Sequence, residues 1–264
     1  MWLRLQCCAY LLLATFFFTP LTAVADNACS ISEPDDTASI KYVHDGDTLH
    51  LGDGRKVRLI GINTPEVARG KQPAQLYSAE AKSALQALFK DDRTILLSYG
   101  REQQDKYQRT LAHGFTQGGD NIQAALLTQG YAQAITFPPN TRLSECYHAR
   151  EREARCNKRG LWKKNQVITS KKLDDTHIGF RLVKGKLKDI KINKKGFWLN
   201  LDNKITIGIR PENYPLFDLN KLNKMLNQPI IVRGWLNRSK KDVPYYIRVR
   251  HPSALQLATE FACG

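Results

Sequence analysis

The run from Val43 to Glu66 reads V-H-D-G-D-T-L-H-L-G-D-G-R-K-V-R-L-I-G-I-N-T-P-E and sets Asp45, Asp47 and Glu66 on either side of Arg58. The three carboxylates are hard oxygen donors of the kind calcium takes, and Arg58 can grip two phosphate oxygens with one guanidinium fork. Together they have the chemistry of metal-assisted phosphodiester cleavage: an activated water, neutralised charge on phosphorus and a stabilised leaving oxygen. Singly, each has an ordinary structural reading. D-G-D is a common turn, T-P-E a common strand exit, and an arginine on a strand often covers apolar surface with its stem. A second arginine, Arg109, arrives in Asp105-Lys106-Tyr107-Gln108-Arg109-Thr110-Leu111-Ala112.

Holding these groups together requires strands. Alternation starts at residues 40–43, turns at Asp45-Gly46-Asp47 and resumes at 48–51, after which Asp53-Gly54 is a hairpin signal. Residues 56–62 read as the next strand, stopped at Thr64-Pro65 because proline keeps the residue before it extended. Ala81, Leu85, Leu88 and Phe89 recur at helical spacing. Residues 93–99 and 107–116 read as strands, 121–129 as a helix ended by Gly130, and 145–158 as a further helix. The pattern predicts a small five-strand barrel with about three helices.

Residues 163–176 are polar and read as an interdomain linker. Strands return over 180–192, 197–201 and 205–209, separated by Asn193-Lys194-Lys195-Gly196 and Asp202-Asn203. A short helix over 218–227 follows, with Asp218 as its cap, then strands over 229–236 and 244–249. Three strands, a helix and two strands is the order of an OB-fold, a barrel that often binds oligonucleotides. The expected fold class is mainly β with α: a first barrel over 40–162 and a smaller basic OB-like barrel over 177–258. Residues 26–39 form an N-terminal segment and 259–264 a tail.

Five blocks in order, D-G-D-T, R-L-x-G-I-x-T-P-E, D-K-Y-x-R-x-L-A, N-I-Q-A-A-L-L-T-Q-G-Y-A and G-L-W, make residues 41–162 resemble the staphylococcal nuclease (thermonuclease) family. The resemblance implies a nuclease barrel of the kind the periodicity predicts. It also implies that Asp47 is a direct calcium ligand, that the backbone carbonyl of Thr64 is a second, and that Asp45 orients metal-bound water. Glu66 then orients or deprotonates the attacking water, Arg58 and Arg109 clamp the phosphate, and Lys106 and Tyr107 contact a neighbouring phosphate.

Asn63 departs from the family, which usually has an aspartate ligand there. One negative charge fewer weakens a calcium site or changes its preference, so the expected cofactor is calcium or another divalent cation. The family's stacking aromatic falls near Thr136-Phe137, where Phe137 alone can substitute. His44 and His50 alternate with strand positions and read as surface or barrel-edge residues. The C-terminal region resembles the accessory OB-like domain of some bacterial homologues. There Lys194, Lys195, Trp198, Arg248 and Arg250 are candidate nucleic-acid contacts, with one of Tyr245 and Tyr246 forced to point inward.

Residues 1–25 carry a basic Arg4, an apolar stretch over 8–18 and Ala23-Val24-Ala25 before Asp26, the pattern of a signal peptide cleaved after Ala25. The apolar stretch falls short of the roughly 20 residues a membrane span needs. A periplasmic or secreted monomer without stable membrane insertion is expected. Cleavage leaves Cys29, Cys146, Cys156 and Cys263, for which three full pairings exist. Cys146 and Cys156 lie on one helix-like segment about 15 Å apart, which disfavours that pair. The terminal cysteines are expected to tie the tails down onto or near that helix. No Cys/His spacing reads as a zinc site.

Residues 41–162 hold 18 Lys and Arg against 13 Asp and Glu, whereas 177–258 hold 17 against 5, so most of the chain's +15 charge lies in its C-terminal third. A field of that sign favours polyanions. The reading is an extracytoplasmic, calcium-dependent endonuclease that hydrolyses DNA, with RNA as a second candidate substrate. The alternative is a non-catalytic nucleic-acid-binding or adhesion protein on a nuclease scaffold.

Overall fold

The computed structural model describes residues 29–70 and 72–263; the leader read at 1–25 lies outside them. In the first barrel the strands are β1 (Asp36–Val43), β2 (Thr48–Leu51), β3 (Lys56–Leu59), β4 (Ile62–Asn63), β5 (Thr94–Gln104) and β6 (Thr110–Phe115). All but β4 close into a ring in the order β1-β2-β3-β6-β5. Alternation explains the core: Leu49, Leu51, Val57 and Leu59 are fully buried inside the ring, each contributing on the order of 1.5–3 kcal/mol of apolar transfer.

Three helices, α1 (Ser78–Ala87), α2 (Ile122–Thr128) and α3 (Ser144–Cys156), cover the ring. Asn121 caps α2 by accepting from the Ala124 amide at 2.8 Å. The strand expected over 56–62 is interrupted. Gly61 holds a left-handed φ of 85° against the Tyr147 ring, ending β3 at Leu59 and restarting the chain as β4, which pairs with β7 (Gln133–Ala134).

The second barrel contains β8 (Val167–Thr169), β9 (Gly179–Asn193), β10 (Gly196–Leu201), β11 (Ile205–Ile209), α4 (Leu219–Lys224), β12 (Pro229–Arg238), β13 (Tyr245–Val249), β14 (Leu255–Leu257) and α5 (Ala258–Phe261). The strands β9, β10, β11, β13 and β12 close through the β12–β9 pairing. Asp218 caps α4 by accepting from Asn220 and Lys221 amides. Residues 163–176 are more than a tether. Val167-Ile168-Thr169 forms β8, parallel to β9, and the buried Ser170 hydroxyl donates to Asp202 at 2.6 Å. The tail is likewise anchored, since Phe261 is buried and Cys263 is bonded.

Cys29 pairs with Cys146 and Cys156 with Cys263, with Cα atoms 5.5 and 5.3 Å apart. Both terminal segments are thereby stapled to α3. The barrels also meet through a buried pair. Arg233 of β12 makes a bidentate contact with Glu151 of α3 at 2.9 and 2.7 Å and donates to the Ala134 carbonyl at 2.6 Å. Glu151 in turn accepts from the Ala134 amide at 2.9 Å. The second barrel is therefore pinned to β7, the partner of the strand carrying Asn63.

Candidate active site

The Asp45-Gly46-Asp47 turn lies between β1 and β2 at one mouth of the first barrel. A Cβ on Gly46 would come within 2.8–2.9 Å of Thr64 and Ala81, so a glycine lets the turn sit directly against the β4 exit and α1. Both flanking aspartates are buried. Asp45 accepts from the Asp47 amide at 3.0 Å. Asp47 accepts from the Thr64 amide and hydroxyl, each at 3.0 Å, from the Thr48 hydroxyl at 3.1 Å, and from the Arg58 guanidinium at 3.0 Å. Arg58 is further held by the Leu59 carbonyl and, at 2.9 Å, by that of Ile62.

Glu66 lies just past Thr64-Pro65 and is exposed. Its amide donates to Gln75 Oε1 at 3.1 Å, and its carbonyl accepts from the Gln75 amide at 2.9 Å, which clasps the loop after β4. Desolvation at the mouth, then the charges of Asp47 and Asp45, push the Glu66 carboxyl above its ordinary range, while Arg58 and Arg109 pull it back. Burial and the neighbouring Asp47 likewise raise Asp45. The mouth thus carries more negative charge than it can comfortably hold. That charge is faced by two guanidinium groups.

Arg109 reaches the mouth from a loop rather than from the strand expected over 107–116, because β6 begins only at Thr110. Asp105 organises that loop by accepting from the Tyr107 and Arg109 amides at 2.9 and 3.0 Å and from Arg109 Nε at 2.8 Å. Burial raises the Asp105 carboxyl, but these hydrogen bonds outweigh it and hold the group below the usual range. Asp105 and Gln75 are positioning residues to which the sequence reading assigned no role; Asp105 stood in the D-K-Y-x-R block, whereas Gln75 had no local signal. Tyr107 is 68% exposed, with Lys106 Nζ 4.9 Å and the Arg109 guanidinium 5.7 Å from its ring centre.

The fold brings together Asp45, Asp47, Thr64, Arg58, Glu66 and Arg109. Asn63 stands apart. No hydrogen bond links it to Asp47 among the described residues, and it lines a cavity of about 340 Å³ between the barrels with Pro65, Gln133, Phe180 and Arg181. His44 is exposed, its Nε2 4.0 Å from Asp45, and His50 stacks on Tyr42 at 4.2 Å.

The donor chemistry fits a hard divalent cation, since the oxygen-rich turn holds two buried carboxylates whose mutual repulsion a cation relieves. Among the described residues no three His, Cys, Asp or Glu groups enclose a metal by themselves. A cation here takes its remaining ligands from water and substrate oxygens.

The five candidate contacts in the second barrel differ in their surroundings. Lys194 and Lys195 are exposed in the β9–β10 turn. Trp198 has Arg210 and Lys241 at 5.4 and 5.5 Å from its ring, and Arg248 pairs with Glu212. Arg250 turns instead to the first barrel, 4.8 Å from the Phe137 ring centre. Tyr245 is buried, and the Tyr246 ring lies over Gly208.

A five-strand barrel with an acidic turn, an acidic strand exit and two arginines at one mouth defines a class of phosphodiester-cleaving protein. A sequence model described as staphylococcal nuclease homologue matches residues 56–164. The thermonuclease of Staphylococcus intermedius is 33% identical over 128 residues, covering 47% of this chain and 75% of that protein. The thermonuclease of Staphylococcus hyicus is 29% identical over 129 residues, with 48% and 75% covered. Endonuclease YncB of Bacillus subtilis is 30% identical over 131 residues, with 48% and 62% covered. The chain belongs to the staphylococcal nuclease family, and its first barrel is a nuclease domain acting on nucleic acid.

Proposed function

We propose that this protein is an extracytoplasmic endonuclease that hydrolyses DNA, and RNA as a second substrate, with the help of a divalent cation, calcium being the one the family resemblance implies. The observation that carries the reading is the convergence of Asp45, Asp47 and Glu66 with Arg58 and Arg109 at one barrel mouth.

Asp47 and the Thr64 carbonyl would hold the cation and Asp45 would orient its bound water, with Asn63 supplying a neutral amide oxygen. When bound, the cation supplies Lewis acidity and a template for phosphate. Glu66 takes the proton from the attacking water, a task suited to a carboxyl held above its ordinary range at the mouth. Arg109, braced by Asp105, and Arg58, braced by Asp47, donate to the non-bridging oxygens as charge grows on them. Lys106 and Tyr107 sit on the same loop as Arg109, suited to an adjacent phosphate.

Two disulfides support an oxidising compartment. Among the described residues no helix is long and apolar enough to cross a membrane. Cleavage of single- and double-stranded DNA and RNA, titrated with calcium against chelator, tests the reading alongside Glu66→Gln. Calcium-dependent hydrolysis, lost in the variant, is expected. Salt-sensitive binding without hydrolysis under any divalent cation makes the protein a binder on a nuclease scaffold.

A further inference from the structure

Two large aromatic side chains from different barrels meet at the surface. Phe137, after β7, and Trp235, on β12, have ring centres 5.6 Å apart and planes 32° from parallel. They remain 36% and 40% exposed, unlike the buried aromatics of either core. The Arg250 guanidinium stands 4.8 Å from the Phe137 ring centre and makes no ion pair among the described residues. Trp235 also meets the Phe180 ring edge-on at 4.9 Å, so each ring is partly packed and partly open to solvent.

The pair sits one loop away from both arms of the active site. Asn140, bridged to Phe137, donates to the Glu102 carbonyl at 2.9 Å and accepts from its amide at 3.0 Å, and three residues later Asp105 holds Arg109. On the other side, Phe137 lies three residues beyond Ala134, which pairs with Ile62 on the strand that leads to Thr64 and Glu66. From Arg250 the same strand face continues to Arg248, and across the β11 partner Gly208 to Trp198.

We propose that Trp235 extends the stacking position that the family resemblance puts at Phe137 into a platform for single-stranded nucleic acid, with Arg250 contacting the backbone, so that the second barrel supplies part of the nuclease's substrate site. The inference rests on the nuclease reading for its occupant. Exposed aromatic surface accepts any base, and a guanidinium beside it tracks phosphate, which is how single strands are held without sequence preference.

The test uses the full chain carrying Glu66→Gln, in chelator, with two labelled probes: an oligothymidylate and an abasic oligomer of the same length. The parent should prefer the oligothymidylate. Trp235→Ala should weaken it about tenfold, the effect of losing one base stack, and leave the abasic probe unchanged. Trp235→Phe should retain most of the preference. Arg250→Gln should weaken both probes alike and lower the salt slope by about one.

Equal loss on both probes in Trp235→Ala means a structural role and overturns the proposal. So does a parent without base preference, which would leave the patch to a protein partner. Neither readout needs hydrolysis. A chain that never cleaves but shows the Trp235-dependent preference sinks the nuclease reading alone, and one that cleaves without it sinks the platform alone.

Discussion

The two barrels share one strand order and differ at one turn. In each, the first three strands run antiparallel, the third pairs in parallel with the last, and a helix fills the connection between third and fourth. The turn joining the first two strands is Asp45-Gly46-Asp47 in one barrel and Asn193-Lys194-Lys195-Gly196 in the other. The acidic turn is buried against Thr64, whereas the basic one is exposed. The fold supplies position, and the side chains at that position decide what is bound.

If the acidic mouth alone carries chemistry, Glu66→Gln should lower kcat by about 10²–10⁴-fold and leave oligonucleotide affinity intact. A comparable loss from changes in the second barrel's basic turn would break the contrast. Next in size is the join between the barrels. Arg233→Met leaves the Glu151 carboxylate buried and unpaired and should cost about 3–5 kcal/mol in urea unfolding. A much smaller loss would mean the barrels are held mainly by the Cys156–Cys263 bond and the apolar contacts around Trp162 and Phe261.

Acid should act on the first barrel and the join. Burial pushes His113 and His148 down to about 4, so both are neutral in the fold, whereas the unfolded chain binds protons near the ordinary value of 6.5. Stability present above pH 6.5 is therefore lost as the pH falls toward 4. In the second barrel burial lowers His251, which bonds Ser253 next to Thr136 and so belongs to the join. Urea midpoints measured across that window should fall, and His113→Gln should flatten the fall. A profile unmoved by this substitution assigns the acid sensitivity elsewhere. The smallest effect is expected from Lys194→Gln with Lys195→Gln, which should lower the salt slope of binding by about two with turnover of a dinucleotide unchanged.

Much of this was local and therefore legible. The D-G-D turn, the Thr64-Pro65 strand exit, the Asp218 cap and the strand periodicity are decided within a few residues, and they located both barrels and the acidic mouth. Gly61 broke a strand that alternation alone would continue, because the Tyr147 ring, 86 positions away in sequence, occupies the space a side chain would need. Val167-Ile168 looked like linker because three strand residues are too few for a pattern.

The sequence by itself determined the chemistry on offer: carboxylates and arginines in a fixed order, four cysteines after residue 25 and a basic second half. Only the tertiary structure decided that Asp47 braces Arg58, that Asp105 braces Arg109, that each tail is bonded to α3, and that Arg250 faces Phe137 rather than Trp198. The physical reason lies in what each kind of statement depends on. Residue type and short-range spacing are properties of the chain, whereas a contact between distant segments exists only once both cores have closed and excluded the water between them.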